Sequence, residues 1–404
     1  MEKSSCIVLS SAFPDTYTGT GFAARSLLPV LGSVFVRVDY LAVAAPGKRP
    51  PEHFPGDRSR VVFHPLRADA RAKWKRFAKS LGSRWPAAVQ RYVGPALPAA
   101  LHRLCDEAGE QPPVLFVLDA PLYWPLLADS KLRSRFSRII HWSLNVSAEV
   151  FLGILAESNP LMKAVWGLEV GRLKRYEREV LENADVNWTV TNGDADSYRS
   201  IYRQDTDGVL GIRLDEERFE KPITGDPFTL LYLGSFDVRK RKGIAKFVHS
   251  VFPALKARFP KMRLHLGGKG SEEFEGTHPG VRGFGFVADE ETFMAEGLII
   301  VNPQESGSGI KLKSLHALAD GKVLLTTPVG AQGIPGNPGQ DYLFAERVEE
   351  MGDVLGKAIT SGVPLPEIAE GGRAAVREST VGPVFDEIFR EMLGKALESA
   401  TSQR

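Results

Sequence analysis

The chain has 404 residues, of which 43% are hydrophobic and 25% are charged, close to the averages of soluble globular proteins. These fractions exclude a wholly disordered chain, and the length predicts two or three domains. Lys and Arg total 51 against 49 for Asp and Glu, so we expect no nucleic-acid partner. The two cysteines, Cys6 and Cys105, form no CxxC motif, which indicates a reducing compartment rather than a disulfide framework or a zinc site.

The first residues hold one lysine, Lys3, and a short apolar run of strand length. A signal peptide has a longer apolar region and a small-residue cleavage site. No stretch reaches the roughly 20 apolar residues of a membrane span. We therefore expect a cytoplasmic protein, or one that is peripheral on the cytoplasmic face of a membrane.

The first half of the chain alternates short apolar runs with helical patterns. Predicted strands lie at 6–9, 34–40, 61–64, 114–118, 138–142 and 186–190. Predicted helices include 22–31, 169–182 and 193–202. This alternation predicts a doubly wound parallel sheet of the α/β class. Prolines and glycines around residue 222 mark the end of this domain, which we place at 1–222.

The second half repeats the alternation. Predicted strands lie at 228–233, 262–266, 297–301 and 323–326, and predicted helices at 242–259 and 310–319. We therefore expect a second α/β domain at 223–380. An amphipathic helix in 381–404 follows it.

A glycine-rich loop lies in the stretch PQESGSGIKLKSLHALADGKVLLTTPVGAQG, residues 303–333. Backbone N–H groups of such a loop, together with a helix N-terminus, favour an anion. Lys311 and Lys313 lie in the first helical turn, where cations oppose the helix dipole unless an anionic ligand is present. The alternative is a capped strand with solvated lysines.

A second basic loop begins at Gly234 and runs through Arg239, Lys240, Arg241 and Lys242. It follows a predicted parallel strand, and α/β sheets bind ligands at the carboxyl ends of their strands. A solvated basic turn is the alternative. Two basic glycine loops on neighbouring strands predict a site that clamps a diphosphate.

The stretch GSGIKLKSLHALADGKVLLTTPVGAQGI resembles the signature helix of the GT4 family (glycosyltransferase group 1) of GT-B fold glycosyltransferases. LLYLGSFDVRKRKG is similar to that family's strand, glycine and Lys-Gly loop, and LHLGGKG with VRGFGFVAD resembles its nucleobase-binding stretch. The resemblance covers 228–343. It implies two Rossmann-like domains facing a central cleft, the first for the acceptor and the second for the nucleotide sugar. It also implies a terminal helix that crosses back to the first domain.

The resemblance also implies which residues bind the donor. Lys242 and Lys313 match lysines on the donor diphosphate and are the catalytic candidates in this half. The full donor set is Gly234, Ser235, Lys242, Phe286, Val287, Gly307, Ser308, Gly309, Ile310, Lys313 and His316. The family's second glutamate is His316 here, and its first aligns with Ser308 or, with a longer loop, with Glu305. These departures motivate the alternative of a degenerate binding or scaffold subunit.

In the first half, the resemblance implies acceptor-binding residues after two strands. Thr20 and Gly21 lie in a glycine-rich loop, and Asn145 and Glu149 match the family's His-Asn-x-Glu segment within HWSLNVSAEVF. His141 is a nearby catalytic candidate. The alternative is a structural histidine at a strand end.

A rival function comes from Gly19 to Ala24, which fit GxGxxA, with Asp39 about 20 residues further on. That spacing is the fingerprint of dinucleotide binding and would indicate an NAD-dependent oxidoreductase. However, residues 11–18 separate the strand from the first glycine. The tight turn that the fingerprint requires is then lost, so we prefer the transferase.

The segment 67–91 has eight basic residues against one acidic residue, with aromatic and leucine side chains near a helical period. A basic amphipathic helix suits an anionic membrane surface. The alternative is a packed helix with a solvated basic face.

Taken together, the sequence predicts an enzyme that moves a sugar, of hexose type, from a nucleotide-diphosphate sugar to an acceptor hydroxyl. The resemblance implies retention at the anomeric carbon, no metal and no other cofactor. We expect a glycan or lipid-linked acceptor and a role in cell-surface polysaccharide or glycolipid assembly. Asp194 and Asp196 form a DxD motif inside a predicted helix, so we do not interpret it as a metal site.

Overall fold

The computed structural model describes residues 4–15, 18–45, 47–54, 57–70, 73–157, 160–234, 236, 238–307 and 309–398. The chain divides into two compact units. Unit 1 comprises Met1–Arg213 with Phe385–Arg404, and unit 2 comprises Leu214–Val384. The predicted limits at residues 222 and 380 lie near this division, while the acceptor and donor roles of the two domains stay a prediction.

Unit 1 is built on a seven-stranded parallel sheet with the order β3-β2-β1-β4-β5-β6-β7. Its strands are β1 (Ser5–Ser10), β2 (Arg37–Ala44), β3 (Val61–Arg67), β4 (Val114–Val117), β5 (Arg138–Ser143), β6 (Val186–Thr189) and β7 (Gly208–Val209). Its helices are α1 (Gly19–Val34), α2 (Lys73–Leu81), α3 (Ala87–Gln90), α4 (Ala96–Glu107), α5 (Trp124–Ala128), α6 (Ser130–Arg133), α7 (Ser147–Glu157), α8 (Pro160–Asn183), α9 (Asn192–Tyr202) and, from Phe385 onwards, α16 (Gly382–Glu398).

Helices cover both faces of this sheet. On one face, Leu173 and Val180 of α8 join Leu115 of β4 in a buried cluster. On the other face, Phe389 of the terminal helix α16 stacks on Phe116 of β4 with a ring-centroid distance of 6.1 Å. Because both faces are covered, β4 and β5 are buried along their whole length, as apolar parallel strands usually are.

Unit 2 contains a six-stranded parallel sheet with the order β10-β9-β8-β11-β12-β13. Its strands are β8 (Asp226–Leu233), β9 (Arg263–Gly267), β10 (Val281–Gly285), β11 (Gly297–Asn302), β12 (Val323–Thr326) and β13 (Leu343–Phe344). Its helices are α10 (Val238–Lys246), α11 (Phe252–Arg258), α12 (Glu290–Ala295), α13 (Leu312–Ala319), α14 (Met351–Thr360) and α15 (Leu365–Thr380). The predicted α/β class with two parallel sheets is confirmed.

Two of the differences between the predicted elements and the structure bear on the candidate sites. The helix predicted at 242–259 is interrupted by a π-helical turn at Phe247–Val251, after which α11 begins with Pro253 near its start. Proline has no N–H and its ring clashes with the carbonyl four residues earlier, so the regular ladder cannot continue through it. The strand predicted at 34–40 is β2, which starts at Arg37 and continues to Ala44. Asp39 therefore lies inside this strand and not at its end.

None of the helices in the described ranges has both the length and the apolar composition that a membrane span requires.

Candidate active site

The loops after β8, β9 and β10 meet at one edge of the sheet in unit 2. Gly234 N donates to Gly267 O at 3.0 Å, and Gly268 N donates to Gly285 O at 2.6 Å. These bonds fix the backbone just beyond three neighbouring strands. Ligands of α/β folds bind outside the carboxyl ends of such strands, so this edge is the candidate donor site.

Lys313, in the first turn of α13, extends to the loop after β8. Its Nζ lies 3.5 Å from the ring centroid of the buried Tyr232. A Cβ built on Gly234 would lie only 2.8 Å from the same Nζ, so a side chain there would displace the ammonium group. The structure therefore brings together two predicted donor residues, Gly234 and Lys313. The tyrosine ring supports the cation through its quadrupole.

Lys242 lies on α10, which packs closely on the loop after β11. A Cβ on the adjacent Gly243 would lie 1.8 Å from Pro303 O, so only glycine permits this approach. The Lys242 side chain is exposed, and no acidic side chain of the described residues forms an ion pair with it. Its neighbour Arg241 is bound instead to both carboxylate oxygens of Glu273, at 2.6 Å each. Of Arg241 and Lys242, the basic residues of this turn whose side chains the structure describes, Lys242 is thus the one available to an anion.

The loop that leads into α13 is held by the other lysine of the motif. Lys311 is buried, and its Nζ donates to Gly309 O at 2.6 Å and to Gln332 Oε1 at 2.8 Å. This lysine therefore shapes the loop, whereas the sequence favoured an anion for both lysines. As the N-cap of α13, Lys311 provides no side-chain cap. The positive end of the helix therefore faces the loop.

The remaining loop residues are placed around this helix start. Gly307 is exposed, while Gly309 is buried and Ile310 half-buried. Ser235 and Ser308, both predicted in the donor set, lie outside the described residues. The carboxylate of Glu305 is paired with Lys246 at 2.7 Å, and Lys246 also pairs with Glu349 at 2.7 Å. In this structure Glu305 is therefore engaged with α10.

His316 lies one turn further along α13. Burial lowers its pKa well below the usual value, and the positive charges of Arg218 and Lys221 lower it further. The imidazole is therefore neutral at pH 7 and can both donate and accept a hydrogen bond. Arg218 itself pairs with Asp320 at 3.0 Å. A role for His316 at the ribose stays a prediction.

Phe286 and Val287 follow β10 directly. Phe286 is 78% exposed, unusually open for an aromatic side chain. Val287 is half-buried and lies against Gly267, where an added Cβ would be 2.8 Å from its Cγ2. An open ring face beside the strand ends suits a nucleobase, and that assignment stays a prediction.

In unit 1, the N-terminus of α1 is already satisfied by side chains. Thr18 Oγ1 accepts a hydrogen bond from Gly21 N at 3.1 Å, and Asp15 Oδ1 accepts one from Thr18 N at 2.7 Å. A Cβ on Gly21 would lie 2.4 Å from Asp15 Cγ. A carboxylate thus occupies the position where a dinucleotide fold would bind pyrophosphate. Thr20, which was predicted with Gly21 to bind the acceptor, lies in the same turn and is half-buried.

Asp39 is equally unsuited to a dinucleotide ribose. It is buried in β2, and its Oδ1 lies 2.8 Å from both His64 Nε2 and Arg37 Nη2. Burial alone would raise its pKa, but the hydrogen bonds from His64 and Arg37 outweigh burial and lower it. Both features of the fingerprint therefore have other structural roles, and the geometry disfavours the oxidoreductase.

The turn from β5 into α7 contains the other predicted acceptor residues. Asn145 is exposed, and Glu149, in the first turn of α7, accepts from Ser197 Oγ at 3.4 Å. The sequence did not identify the group that fixes this turn. Glu177 of α8 accepts hydrogen bonds from Ser147 N at 2.7 Å and from Ala148 N at 3.0 Å. A buried carboxylate thus caps α7 from a different helix.

His141 lies within β5 and is fully buried. Asn187 donates through Nδ2 to Leu181 O, which directs its Oδ1 at His141 Nδ1, 3.2 Å away. The assigned tautomer therefore has its proton on Nδ1. Burial lowers the pKa of His141 to about 4 despite the hydrogen bond with Asn187. Its Nε2 has no hydrogen-bond partner in the described chain. This geometry favours the structural alternative, and a catalytic role stays a prediction.

The DxD motif is engaged in α9. The Asp194 carboxylate accepts a hydrogen bond through Oδ2 from Thr191 Oγ1 at 2.7 Å, and Asp194 N donates to the same Oγ1 at 2.9 Å. Asp196 pairs with Arg199 at 3.1 Å. Within the ranges that the structure describes, no group of three or more His, Cys, Asp or Glu side chains is placed to hold a metal ion.

Solved structures share this architecture over nearly the whole chain. Sucrose-phosphate synthase from Thermosynechococcus elongatus matches with a TM-score of 0.68 and 16% identity, covering 99% of this chain and 100% of that one. α,α-Trehalose 6-phosphate synthase from Burkholderia multivorans has a TM-score of 0.62 and 13% identity, covering 98% and 100%. The Anabaena HepE protein in complex with UDP-glucose has a TM-score of 0.62 and 11% identity, covering 98% and 100%. The chain therefore has the GT-B fold.

A narrower assignment comes from the sequence of unit 2. Residues 227–361, about a third of the chain, match the family model of the group 1 glycosyl transferases. Comparison with curated protein sequences finds no match. Residues 227–361 are thus similar to the group 1 glycosyl transferases within a chain of the GT-B fold, and the predicted resemblance is confirmed.

Proposed function

We propose that this protein transfers a hexose from a nucleotide-diphosphate sugar to an acceptor hydroxyl, with retention at the anomeric carbon and without a metal ion. The observation on which this rests is the arrangement around Lys313 in unit 2. An ammonium group lies against a glycine loop at the carboxyl end of β8, next to a helix whose N-terminus has no side-chain cap. Such a site matches a diphosphate in charge and in backbone access.

The chemistry follows from where charge develops. When the bond between sugar and diphosphate breaks, negative charge accumulates on the terminal phosphate. This charge would be stabilised by Lys242, Lys313 and the loop N–H groups. A reaction is accelerated when such groups stabilise the transition state more strongly than they stabilise the bound substrate. The carboxylates of Asp194 and Asp196 are engaged within α9 by Thr191 and Arg199, which supports a mechanism in which cationic side chains neutralise the leaving group.

The donor is best sought first among uridine nucleotides. The Anabaena HepE protein, which shares the fold, has been solved with UDP-glucose. Another similar structure is a lipopolysaccharide outer core galactosyltransferase. These likenesses support, for this chain, a hexose donor and a role in assembling a cell-surface glycan or glycolipid in the cytoplasm.

The test is release of nucleoside diphosphate from each of UDP-, GDP-, dTDP- and ADP-hexoses, with EDTA present. We expect Lys242→Ala and Lys313→Ala each to lower the rate by roughly 10²–10³. Lys261→Ala is the matched control, because Lys261 is exposed just before β9, at the opposite edge of the sheet. Full turnover in either site variant, or a rate abolished by EDTA, would contradict the proposal.

A degenerate binding or scaffold subunit is the second candidate. It is favoured by His316 in place of a carboxylate and by the pairing of Glu305 with Lys246. This candidate predicts binding of a nucleoside diphosphate with no release from any of the sugar nucleotides.

We also propose that unit 1 docks on an anionic membrane surface through the predicted basic segment 67–91. Within it, α2 places Lys79 and Leu81 in solvent, with Leu81 58% exposed, and Leu168 of the neighbouring α8 is 57% exposed. Exposed leucines beside lysines suit a lipid surface. Residues 71–72 of the segment lie outside the described ranges. Flotation with vesicles rich in anionic lipid tests this docking, and an absence of binding at low salt would exclude it.

A further inference from the structure

A cavity of about 290 Å³ lies in unit 1 between the loop that follows α2 and the outer side of α8. Its lining is both basic and aromatic. The residues that define it are Arg84, Trp85, Arg172, Arg175, Tyr176 and Glu179. None of these belongs to the candidate donor or acceptor residues.

One arginine builds the wall of this cavity. Arg172 Nη2 donates to the carbonyl oxygens of Ser80, Ser83 and Trp85 at 2.7, 2.6 and 2.9 Å. Its Nη1 donates to the buried carboxylate of Glu169 at 2.6 Å. The charge of Arg172 is therefore neutralised, and both of its Nη groups donate within the protein. The loop is held in one conformation against α8, so the cavity is preformed.

Aromatic rings form the base of the cavity. Trp85 meets Tyr176 edge to face with a centroid distance of 5.9 Å. The Tyr176 hydroxyl donates to Ala120 O at 2.8 Å, which anchors that ring to the core of unit 1. The guanidinium of Arg84 lies 4.9 Å from the Trp85 centroid.

Among the residues that the structure describes, one positive charge in the cavity has no counter-charge. Arg84 pairs with Glu179 at 2.6 Å. Arg175 is exposed, and no acidic side chain of the described residues pairs with it. A single anionic group placed between the two guanidinium groups would complete the charge balance, and guanidinium binds phosphate through paired hydrogen bonds.

The surroundings of the cavity indicate that the anion has an apolar attachment. Ser80 Oγ and Glu169 Oε1 are 3.4 Å apart, and the residue next to each in sequence, Leu81 and Leu168, is exposed. Leu168 and Arg175 lie two turns apart on α8, about 10 Å along its axis. An apolar surface next to an anion site is what a lipid with a charged headgroup requires.

We propose that this cavity binds the phosphate ester of a lipid headgroup, with Arg175 and Arg84 as its ligands. The inference rests on the membrane docking proposed above and locates that docking at one site. It is independent of donor binding in unit 2. The same chemistry would accept a free phosphate ester, so the test has to distinguish the two sources.

The experiment compares two single-charge variants of the full chain. Arg175→Gln removes the uncompensated charge of the cavity. Arg178→Gln removes an equally exposed arginine from the next turn of α8, outside the cavity. Binding is measured to vesicles of phosphatidylglycerol mixed with phosphatidylcholine, to pure phosphatidylcholine vesicles, and to soluble glycerophosphoglycerol. Calorimetric titration with nucleoside diphosphates confirms that each variant retains the wild-type state of unit 2.

We expect wild-type protein to bind the phosphatidylglycerol vesicles and not pure phosphatidylcholine. Arg175→Gln should weaken that binding roughly thirtyfold, as loss of charge-assisted hydrogen bonds predicts, and Arg178→Gln at most about fivefold. If only glycerophosphoglycerol binds, and Arg175→Gln abolishes it, the cavity takes a free phosphate ester and the membrane docking is wrong. Equal losses in the two variants, or no binding of any probe, would overturn the proposed site.

Discussion

Glu177→Ala removes a buried carboxylate that connects three elements of unit 1. The carboxylate accepts hydrogen bonds from Ser147 N, Ala148 N and the Tyr202 hydroxyl, at 2.7, 3.0 and 2.5 Å. Alanine leaves all three donors without this acceptor, two at the start of α7 and one at the end of α9. Unsatisfied buried donors cost about 1–3 kcal/mol each. Since Ser147 is only half-buried and can bond to water, we expect a total loss of about 3–5 kcal/mol.

Glu177→Gln provides a graded comparison. The amide retains one acceptor oxygen, so part of the cap survives. Burial also raises the pKa of Glu177 above 4.5, although the hydrogen bond from Tyr202 and those from the α7 backbone oppose this shift. Ionising the glutamate therefore reduces stability as pH rises through that raised pKa, and the neutral amide avoids this loss. We expect Glu177→Gln to lose only about 1–2 kcal/mol at pH 7.

The assay is urea unfolding followed by tryptophan fluorescence. All 6 tryptophans lie between residues 74 and 188, within unit 1, so the signal reports on this unit alone. Glu182→Ala, an exposed glutamate on the same helix, is the control and should change the free energy of unfolding by less than about 0.5 kcal/mol. A loss below about 1 kcal/mol for Glu177→Ala would refute the assigned capping role.

Three further predictions concern the two units separately. Gly243→Ala places a Cβ against Pro303 O, so we expect at least a roughly tenfold loss of nucleotide affinity by calorimetry; unchanged affinity would show that α10 can move freely. Tyr232→Leu should weaken nucleotide binding about fivefold to thirtyfold, and Tyr232→Phe should not, because only the ring supports Lys313. If Tyr232→Leu and Tyr232→Phe weaken nucleotide binding equally, the aromatic ring does not support Lys313. Because the folded pKa of His141 is lowered to about 4 from 6.5, the unfolded state takes up its proton first as pH falls. This histidine alone should therefore reduce stability by about 3 kcal/mol between pH 7 and 4. In His141→Gln, the free energy of unfolding measured with urea should change less between these pH values than in the wild type, by that amount. An identical change in the two proteins would show that His141 does not cause the pH dependence.

The loops of unit 2 were predictable because their signals are local. A strand, a glycine turn and a basic helix start are adjacent in sequence, so the positions of Gly234 and Lys313 follow from the pattern. The support of Lys313 by Tyr232 joins residues about 80 positions apart, and no sequence pattern encodes that contact. Likewise, Lys311 and Lys313 are equivalent by residue type. Lys311 is the non-helical N-cap and Lys313 lies in the first turn of α13, so one lysine turns into the loop while the other reaches the strand end.

In unit 1 the positions of the turns could be predicted from the sequence, but the contacts of these turns with other elements could not. Asn145 and Glu149 lie on the turn into α7 as expected, whereas the cap from Glu177 depends on how α8 packs. Asp39 fitted a dinucleotide fingerprint by spacing alone. Its burial beside Arg37 and His64 became apparent only from the pairing of β2 with β3 and from the length of β2.

The most direct test of the account is calorimetric titration of the protein with UDP, GDP, dTDP, ADP and NAD, each in a separate experiment. The proposed function predicts micromolar binding of one nucleoside diphosphate. That binding should be lost in Lys313→Gln and retained in Lys261→Ala. Binding of NAD alone, or no binding of any of the five, would contradict a nucleotide-sugar site at the carboxyl ends of the strands in unit 2.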